Sequence, residues 1–260
     1  MGLLNRIITQ KRKEVELRKG LFKIEYLRRA KFPELRDFKG IFRKRGFAVI
    51  AEVKRFSPSA GIIVKDFDLQ KIVCSYETDG ASALSILTDY VFFGGRDGFI
   101  FQAKRLVNLP ILRKDFIIDE YQVFESRWLG ADAILLIARL FTQNRLSALI
   151  ELAQDIGLAC LIEVHNLDEL RMVLKTPAQM IGINNRDLDT QKVNIENSFR
   201  LKQYIPEGYI VISESGIRNS EHIKGLIDAG FDGALIGEAL LRAYEGEGVA
   251  ELLRRDYARS

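Results

Sequence analysis

The sequence predicts an α/β protein of the (β/α)8 TIM-barrel class with an N-terminal helical extension, and three observations carry that expectation. First, short apolar runs recur, most of them closing on a charged or polar residue. They are Val49-Ile50-Ala51-Glu52-Val53-Lys54, Leu84-Ser85-Ile86-Leu87-Thr88, Ile111-Leu112-Arg113-Lys114, Cys160-Leu161-Ile162-Glu163, Ile181-Gly182-Ile183-Asn184, Val211-Ile212-Ser213-Glu214 and Ala234-Leu235-Ile236-Gly237. Continuous apolar runs are the habit of parallel strands buried on both faces. Second, strand, loop and helix patterns alternate after Phe47 with no low-complexity linker. Third, eight strand–helix units in roughly 215 residues fit a closed barrel of ~250 residues in all. A doubly wound sheet would more often have fewer strands and a glycine-rich dinucleotide turn after the first one, and no such turn is present.

Taken in order, the chain from Leu3 to about Leu35 is basic and helix-like, with Ile7, Ile8, Val15, Leu17, Leu21 and Leu27 at apolar spacing. Residues 1–45 therefore read as a helical extension, packed on the barrel or capping one end, and residues 46–260 as the barrel itself, one domain overall. Strands are expected to start near Phe47, Ser82, Pro110, Ala133, Ala159, Met180, Tyr209 and Gly233. Helices are expected over Leu69–Asp79, Asp97–Val107, Glu120–Leu129, Thr142–Ile156, Leu167–Lys175, Ile195–Gln203, Ser220–Ala229 and Val249–Tyr257. Gly80, Gly130, Gly157 and Gly230 stand where left-handed C-terminal caps belong.

Composition narrows the function. The 260 residues are 47% hydrophobic, enough for one substantial core, and the 39 Lys and Arg against 35 Asp and Glu leave a net charge of +4. That excess is too mild and too dispersed for a nucleic-acid binder, but it suits attraction of a small anion. Cys74 and Cys160 read as core thiols in a reducing compartment, and no Cys/His cluster has metal-ligand spacing. Met1 to Lys13 lacks the apolar stretch of a signal peptide, and no apolar run approaches the ~20 residues of a membrane span. The expectation is a soluble cytoplasmic protein.

The strand ends carry the chemistry. Burying a charge is costly unless it is paired or used, and in barrels of this class catalytic groups sit at the C-terminal ends of strands. Glu52 and Lys54 are two apart, so both point to one face, while Ala51 and Val53 take the other. The competing reading for Glu52 and Lys54 is a structural ion pair. Lys114, Glu163 and Asn184 end the third, fifth and sixth strands. Converging carboxylates and ammonium groups shift one another's proton affinities, which permits a lysine acid and a glutamate base at neutral pH. The loop Arg55–Gly61, with Ser57, Pro58 and Ser59, suits a lid, although an ordinary turn has the same composition. Phe93 and Phe116 could wall an aromatic substrate. Ser215-Gly216 after the seventh strand and Gly237 after the eighth match the loops that bind phosphate in this fold. His165 stands beside Asn166 and Asp168, which read as a helix cap, and His222 reads as helix surface.

At these residues the chain resembles the indole-3-glycerol-phosphate synthase family of tryptophan biosynthesis. The resemblance rests on Ile50-Ala51-Glu52-Val53-Lys54-Arg55 with Ser57-Pro58-Ser59 and Gly61, Leu112-Arg113-Lys114-Asp115-Phe116, and Gly130-Ala131-Asp132-Ala133-Ile134-Leu135-Leu136-Ile137. It continues through Glu163-Val164-His165, Gly182-Ile183-Asn184-Asn185-Arg186-Asp187-Leu188, Glu214-Ser215-Gly216-Ile217 and Ile236-Gly237-Glu238. It implies closure of a carboxyphenylamino-deoxyribulose phosphate to indole-3-glycerol phosphate with loss of carbon dioxide and water, using no organic cofactor or metal. It implies that Lys114 is the general acid of ring closure, Glu163 a base in dehydration, and Lys54 a contact to substrate anions and a proton source for dehydration. Glu52 and Asn184 would orient these groups. Ser57, Arg186, Glu214 and Glu238 would lie at the substrate, Phe93 and Phe116 around its aromatic ring, and Ser215, Gly216 and Gly237 at its phosphate. The implied partners are that substrate and other enzymes of the same pathway. Phe56 and Asn185 depart from the family's usual residues. The isomerase of phosphoribosylanthranilate shares the fold, but its chemistry wants a Cys base near the first strand, where this chain has Glu52 and Lys54. A barrel that had lost activity would be expected to lose some of the converging charges, and all are present.

Overall fold

In the computed structural model, which describes residues 2–44 and 46–244, eight parallel strands close into a barrel. The chain begins with helices α1 (Leu3–Leu21), α2 (Ile24–Arg29) and α3 (Gly40–Lys44). Strand β1 (Ala48–Val53) follows, then a small hairpin, β2 (Phe56–Ser57) and β3 (Gly61–Ile62), that lies outside the barrel. The remaining barrel strands are β4 (Ala83–Leu87), β5 (Ile111–Lys114), β6 (Ala133–Ile137), β7 (Ala159–Val164), β8 (Met180–Asn184), β9 (Ile210–Glu214) and β10 (Gly233–Ile236). Each expected strand start is met within one residue. Between the strands run α4 (Leu69–Asp79), α5 (Tyr90–Phe93), α6 (Gly98–Leu106), α7 (Glu120–Leu129), α8 (Gln143–Asp155), α9 (Leu167–Val173), α10 (Glu196–Lys202) and α11 (Ser220–Asp228), and α12 (Glu238–Tyr244) follows β10. The expected helix Val249–Tyr257 lies outside the described residues.

Strand parity builds two cores. Ala48, Ile50, Ala83, Leu112, Leu135, Leu161, Met180, Ile212 and Leu235 fill the barrel interior, while Ala51, Val53, Leu84, Ile111, Ile134, Ile162 and Ile181 face the helix layer. Alternate residues of a strand point to opposite faces. Continuing the inward series past Ile50, Leu112, Leu161 and Ile212 therefore brings Glu52, Lys114, Glu163 and Glu214 inward at the C-terminal end. Arg113 takes the other parity and is fully buried in the helix layer, where Asp97, Glu125 and Asp115 neutralise it.

The helices before β1 span the barrel from end to end. Leu3, Leu4 and Ile7 of α1 reach the mouth. Lys11 is buried between Asp89 and Asp115, the residues just beyond β4 and β5. Arg18 pairs with Asp97 and Glu125, and Lys19 with Asp119. Leu27 of α2 packs on Tyr121 and Phe124 of α7. The chain then descends to the opposite end, where Phe38 and Phe42 close the floor against Ala48 and Met180. The extension thus touches both ends of the barrel.

Candidate active site

Every residue assigned from the sequence to catalysis or substrate binding lines one cavity of about 520 Å³ at the C-terminal ends of the strands. Its floor is a line of charges. Lys114 Nζ lies 2.8 Å from Glu214 Oε2 and 3.1 Å from Glu163 Oε2. Lys54 Nζ lies 2.5 Å from Glu52 Oε1. Gly182 and Gly237 make this crowding feasible. A Cβ at Gly182 would fall on Glu214 Oε1, and one at Gly237 on the Glu52 carboxylate and 3.0 Å from Lys54 Nζ. Gly237 therefore has a packing reason to be glycine in addition to the phosphate reading.

The electrostatics divide the carboxylates. Burial disfavours the Lys114 ammonium, yet Glu214, Glu163 and Glu52 outweigh it and hold Lys114 well above the usual lysine range. Burial likewise opposes charge on Glu163, but Lys114, with His165 and Asn184, keeps it well below the usual carboxylate range. Glu52 is also held low, by Lys54, Lys114 and Arg186 against its burial. Glu214 differs: burial, reinforced by Glu163 and Glu52, overrides Lys114 and pushes it up to about 7. Its Oε1 is buried with no hydrogen-bond partner. Glu214 is thus the floor carboxyl whose proton affinity its surroundings raise, where those of Glu52 and Glu163 are lowered.

The walls come from loops. Phe93 of α5 and Phe116, just after β5, stack with ring centroids 6.1 Å apart and a 33° tilt. The β2–β3 hairpin overhangs the cavity with Ser57 and Ser59, and Ser57 Oγ accepts the Ala60 amide at 3.1 Å. Phe56 lies against the backbone turn at Gly94, where a Cβ would come within 2.6 Å of its ring. Arg186 bridges two loops: its guanidinium donates to Ser59 Oγ at 3.1 Å and to the Gln191 carbonyl at 3.3 Å, and Glu238 lies 3.9 Å away. Asn184 Oδ1 accepts the Arg186 amide at 2.9 Å. Asn185 is buried and donates to Ser213 Oγ and to the Ser215 carbonyl, so it anchors the loop after β9.

That loop turns through Ser215 at φ 68° and Gly216 at φ 82°. Two successive left-handed residues bend the backbone sharply, at a cost that Ser215 bears as a non-glycine. Arg218 and Arg242 also line the cavity and were not picked out from the sequence, where they look like ordinary surface arginines. Leu4 and Ile7 were also missed, because they reach the cavity only through the docking of α1, and Asp89 and Asp115 line it from just beyond β4 and β5, where Lys11 pairs with them. Cys160 lies on the helix-facing side of β7 with its thiol pushed up to about 12 by burial, and Cys74 is on α4. Neither lines the cavity.

Comparison with known proteins agrees with this geometry. A family model described as "Indole-3-glycerol phosphate synthase" matches residues 4–252. The chain belongs to the indole-3-glycerol phosphate synthase family. Relatives of that name include one from Clostridium kluyveri, 41% identical over 256 residues, covering 96% of this chain and 97% of the relative. One from Chlorobium phaeovibrioides is 45% identical, covering 92% and 95%. One from Bacteroides thetaiotaomicron is 44% identical, covering 97% and 98%. Among solved structures, the N-acetylmannosamine-6-phosphate 2-epimerase from Clostridium perfringens superposes with a TM-score of 0.60 at 15% identity, covering 83% of this chain and 96% of that one. A likeness at that identity is one of fold alone. For a synthase-family chain, the agreement extends from the strand ends to the extension, since the matched residues run from α1 into the segment beyond α12.

Proposed function

We propose that the cavity carries out the family's reaction with the residues in the following roles. The chain is a carboxy-lyase of tryptophan biosynthesis. It converts 1-(2-carboxyphenylamino)-1-deoxyribulose 5-phosphate to indole-3-glycerol phosphate with loss of carbon dioxide and water. Lys114 is the general acid of ring closure. It gives its proton to the substrate carbonyl oxygen as the new carbon–carbon bond forms, because the developing alkoxide is a stronger base than either carboxylate beside it. Loss of carbon dioxide then restores the aromatic electrons. It is favoured where the leaving carboxylate is stripped of water, as between Phe93 and Phe116. Dehydration needs a base to remove a ring proton and an acid to protonate the departing hydroxyl. Glu163 takes the first role and Lys54 the second, with Glu52 and Asn184 holding them in place. Arg186, Glu238 and Ser57 hold the substrate below the hairpin. Ser215, Gly216 and Gly237 receive the phosphate, with Arg218 and Arg242 supplying charge. The reading extends to a cytoplasmic enzyme working with the others of its pathway. Its support is the family and the lack, among the described residues, of a helix long and apolar enough to cross a membrane.

The observation that carries these roles is Lys114 held within 3.1 Å of both Glu163 and Glu214 on the floor of a cavity with aromatic walls. The test is a pair of variants assayed by indole fluorescence. Lys114→Ala should lose ~10²–10⁴ in turnover, the usual cost of deleting a general acid. Glu163→Gln should form a ring-closed intermediate that accumulates in quenched samples. Turnover of Lys114→Ala within a few fold of the parent, or Glu163→Gln with a normal rate and no intermediate, would remove the respective assignment.

A further inference from the structure

Glu163 is held from two sides. Its Oε2 faces Lys114, and its Oε1 lies 3.2 Å from His165 Nε2. The approach at Nε2 is off the N–H axis, so it is an ion-pair contact and not an aligned hydrogen bond. The other ring nitrogen, Nδ1, lies 3.2 Å from Glu169 Oε2, and that same oxygen accepts the His165 backbone amide at 2.8 Å. Glu169 is placed in turn by Asn166, whose amide donates to Oε1 at 2.8 Å and whose carbonyl oxygen caps α9. Asn197 Nδ2 binds the carbonyls of both His165 and Asn184, tying the ends of β7 and β8 together. The imidazole is therefore buried between two carboxylates.

A neutral imidazole has one donor and one acceptor nitrogen. In either neutral tautomer one ring nitrogen would sit without a proton 3.2 Å from a carboxylate oxygen, which is repulsive. Only the imidazolium meets both neighbours with a proton. We propose that His165 is a positioning residue of the active site: a buried imidazolium, clamped by Glu169, that keeps Glu163 ionised and aims its second oxygen into the cavity. This rests on the reading of Glu163 as the base. The charges facing the ring are Glu163 on β7 and Glu169 on α9, with Lys114 of β5 behind Glu163. Arg139, on the 3₁₀ turn after β6, lies 3.9 Å from Glu169 and 3.2 Å from Asp189. Burial alone would neutralise the ring, yet the two glutamates raise its proton affinity to about 9.

The chain has only two histidines, so nitrogen-15 NMR of the rings is tractable, with His222→Asn assigning the spectrum. His165 should show both nitrogens protonated at pH 7.5 and titrate well above the usual histidine range, and Glu169→Gln should lower that transition. In kinetics, His165→Ala and Glu169→Gln should each reduce kcat by about tenfold or more with KM changed less than about threefold. Removing the cation raises the Glu163 proton affinity, so the acid limb of kcat should move to higher pH. His165→Gln, which keeps a donor, should recover part of the rate. A defect of folding alone would lower the active fraction without moving that limb. A neutral His165 ring at pH 7.5, or profiles that superimpose on the parent after scaling, would overturn the proposal. Parent-like turnover in Glu163→Gln would instead remove the base and this role with it. Inactive Glu163→Gln beside an unshifted Glu169→Gln profile would overturn the His165 role alone.

Discussion

Lys11→Met should loosen the helical extension from the barrel, and the structure sets the size of the effect. Lys11 is 2% exposed, and its Nζ lies 2.9 Å from Asp89 and 2.8 Å from Asp115. Glu14, at 3.0 Å, is partly open to water and adds little. The two aspartates are not equally dependent on it. Asp115 keeps Arg113 at 3.2 Å and the Thr88 hydroxyl at 2.6 Å. Among the described residues Asp89 keeps the Phe92 amide alone, at 2.7 Å on its other oxygen. Removing one partner of a buried ion pair costs about 3–5 kcal/mol, because a charge is left uncompensated. Burial already pushes Asp89 above the usual aspartate range even with Lys11 in place, so in the variant it takes up a proton. A carboxyl whose proton affinity is raised on folding stabilises the fold at low pH and loses that contribution as pH rises. The deficit should therefore be greatest near pH 8 and shrink toward pH 5. Urea denaturation measures it with two probes. The single tryptophan, Trp128, has a centroid 6.0 Å from Phe22 at the α1–α2 junction and reports the extension, while far-UV circular dichroism reports the whole fold. In the variant the fluorescence transition should come first. KM should rise, since Leu4 and Ile7 then leave the cavity wall. Adding Asp89→Asn should restore part of the loss. A deficit below about 1 kcal/mol at pH 8, or one that grows as the pH falls, would refute the reasoning.

Other expectations follow from the same geometry. Gly182→Ala should cut kcat at least about tenfold, because the new methyl displaces Glu214 from Lys114; unchanged turnover would show that Glu214 need not sit there. Inorganic phosphate should inhibit competitively, and Arg242→Ala should weaken that inhibition, as read from slopes over a substrate series; inhibition independent of substrate would count against the phosphate assignment. Pro58→Gly should change kcat and KM together, since proline fixes the hairpin backbone beside Ser57 and loop opening can limit turnover. A viscosity series on the parent enzyme checks the gating, and unchanged constants in the variant would make the hairpin a passive connection.

The direction of each side chain on its own strand is legible in the residue order alone. Strand parity is a local property with a period of two residues, so the inward turn of Glu52 and Lys54 was legible, as was the gathering of Lys114, Glu163 and Asn184 at one end. The matched motifs added Glu214 and the loops around it. Caps were legible for the same reason: Asn166 caps α9 as read, and Gly80, Gly130, Gly157 and Gly230 have positive φ. The tertiary structure decided the pairings. Lys114 meets Glu214 across 100 residues of chain only because the sheet closes. Lys11 looked like one more solvated charge on a basic helix, yet it is buried, because α1 crosses the loops beyond β4 and β5. Arg113 shares its strand with Lys114 but serves the helix layer. His165 reads as the residue before a cap, and only the fold sets Glu163 and Glu169 on its two nitrogens. A burial pattern follows from neighbours within a few residues. The partner of a buried charge follows from which distant segments compete to neutralise it, and chain closure settles that competition.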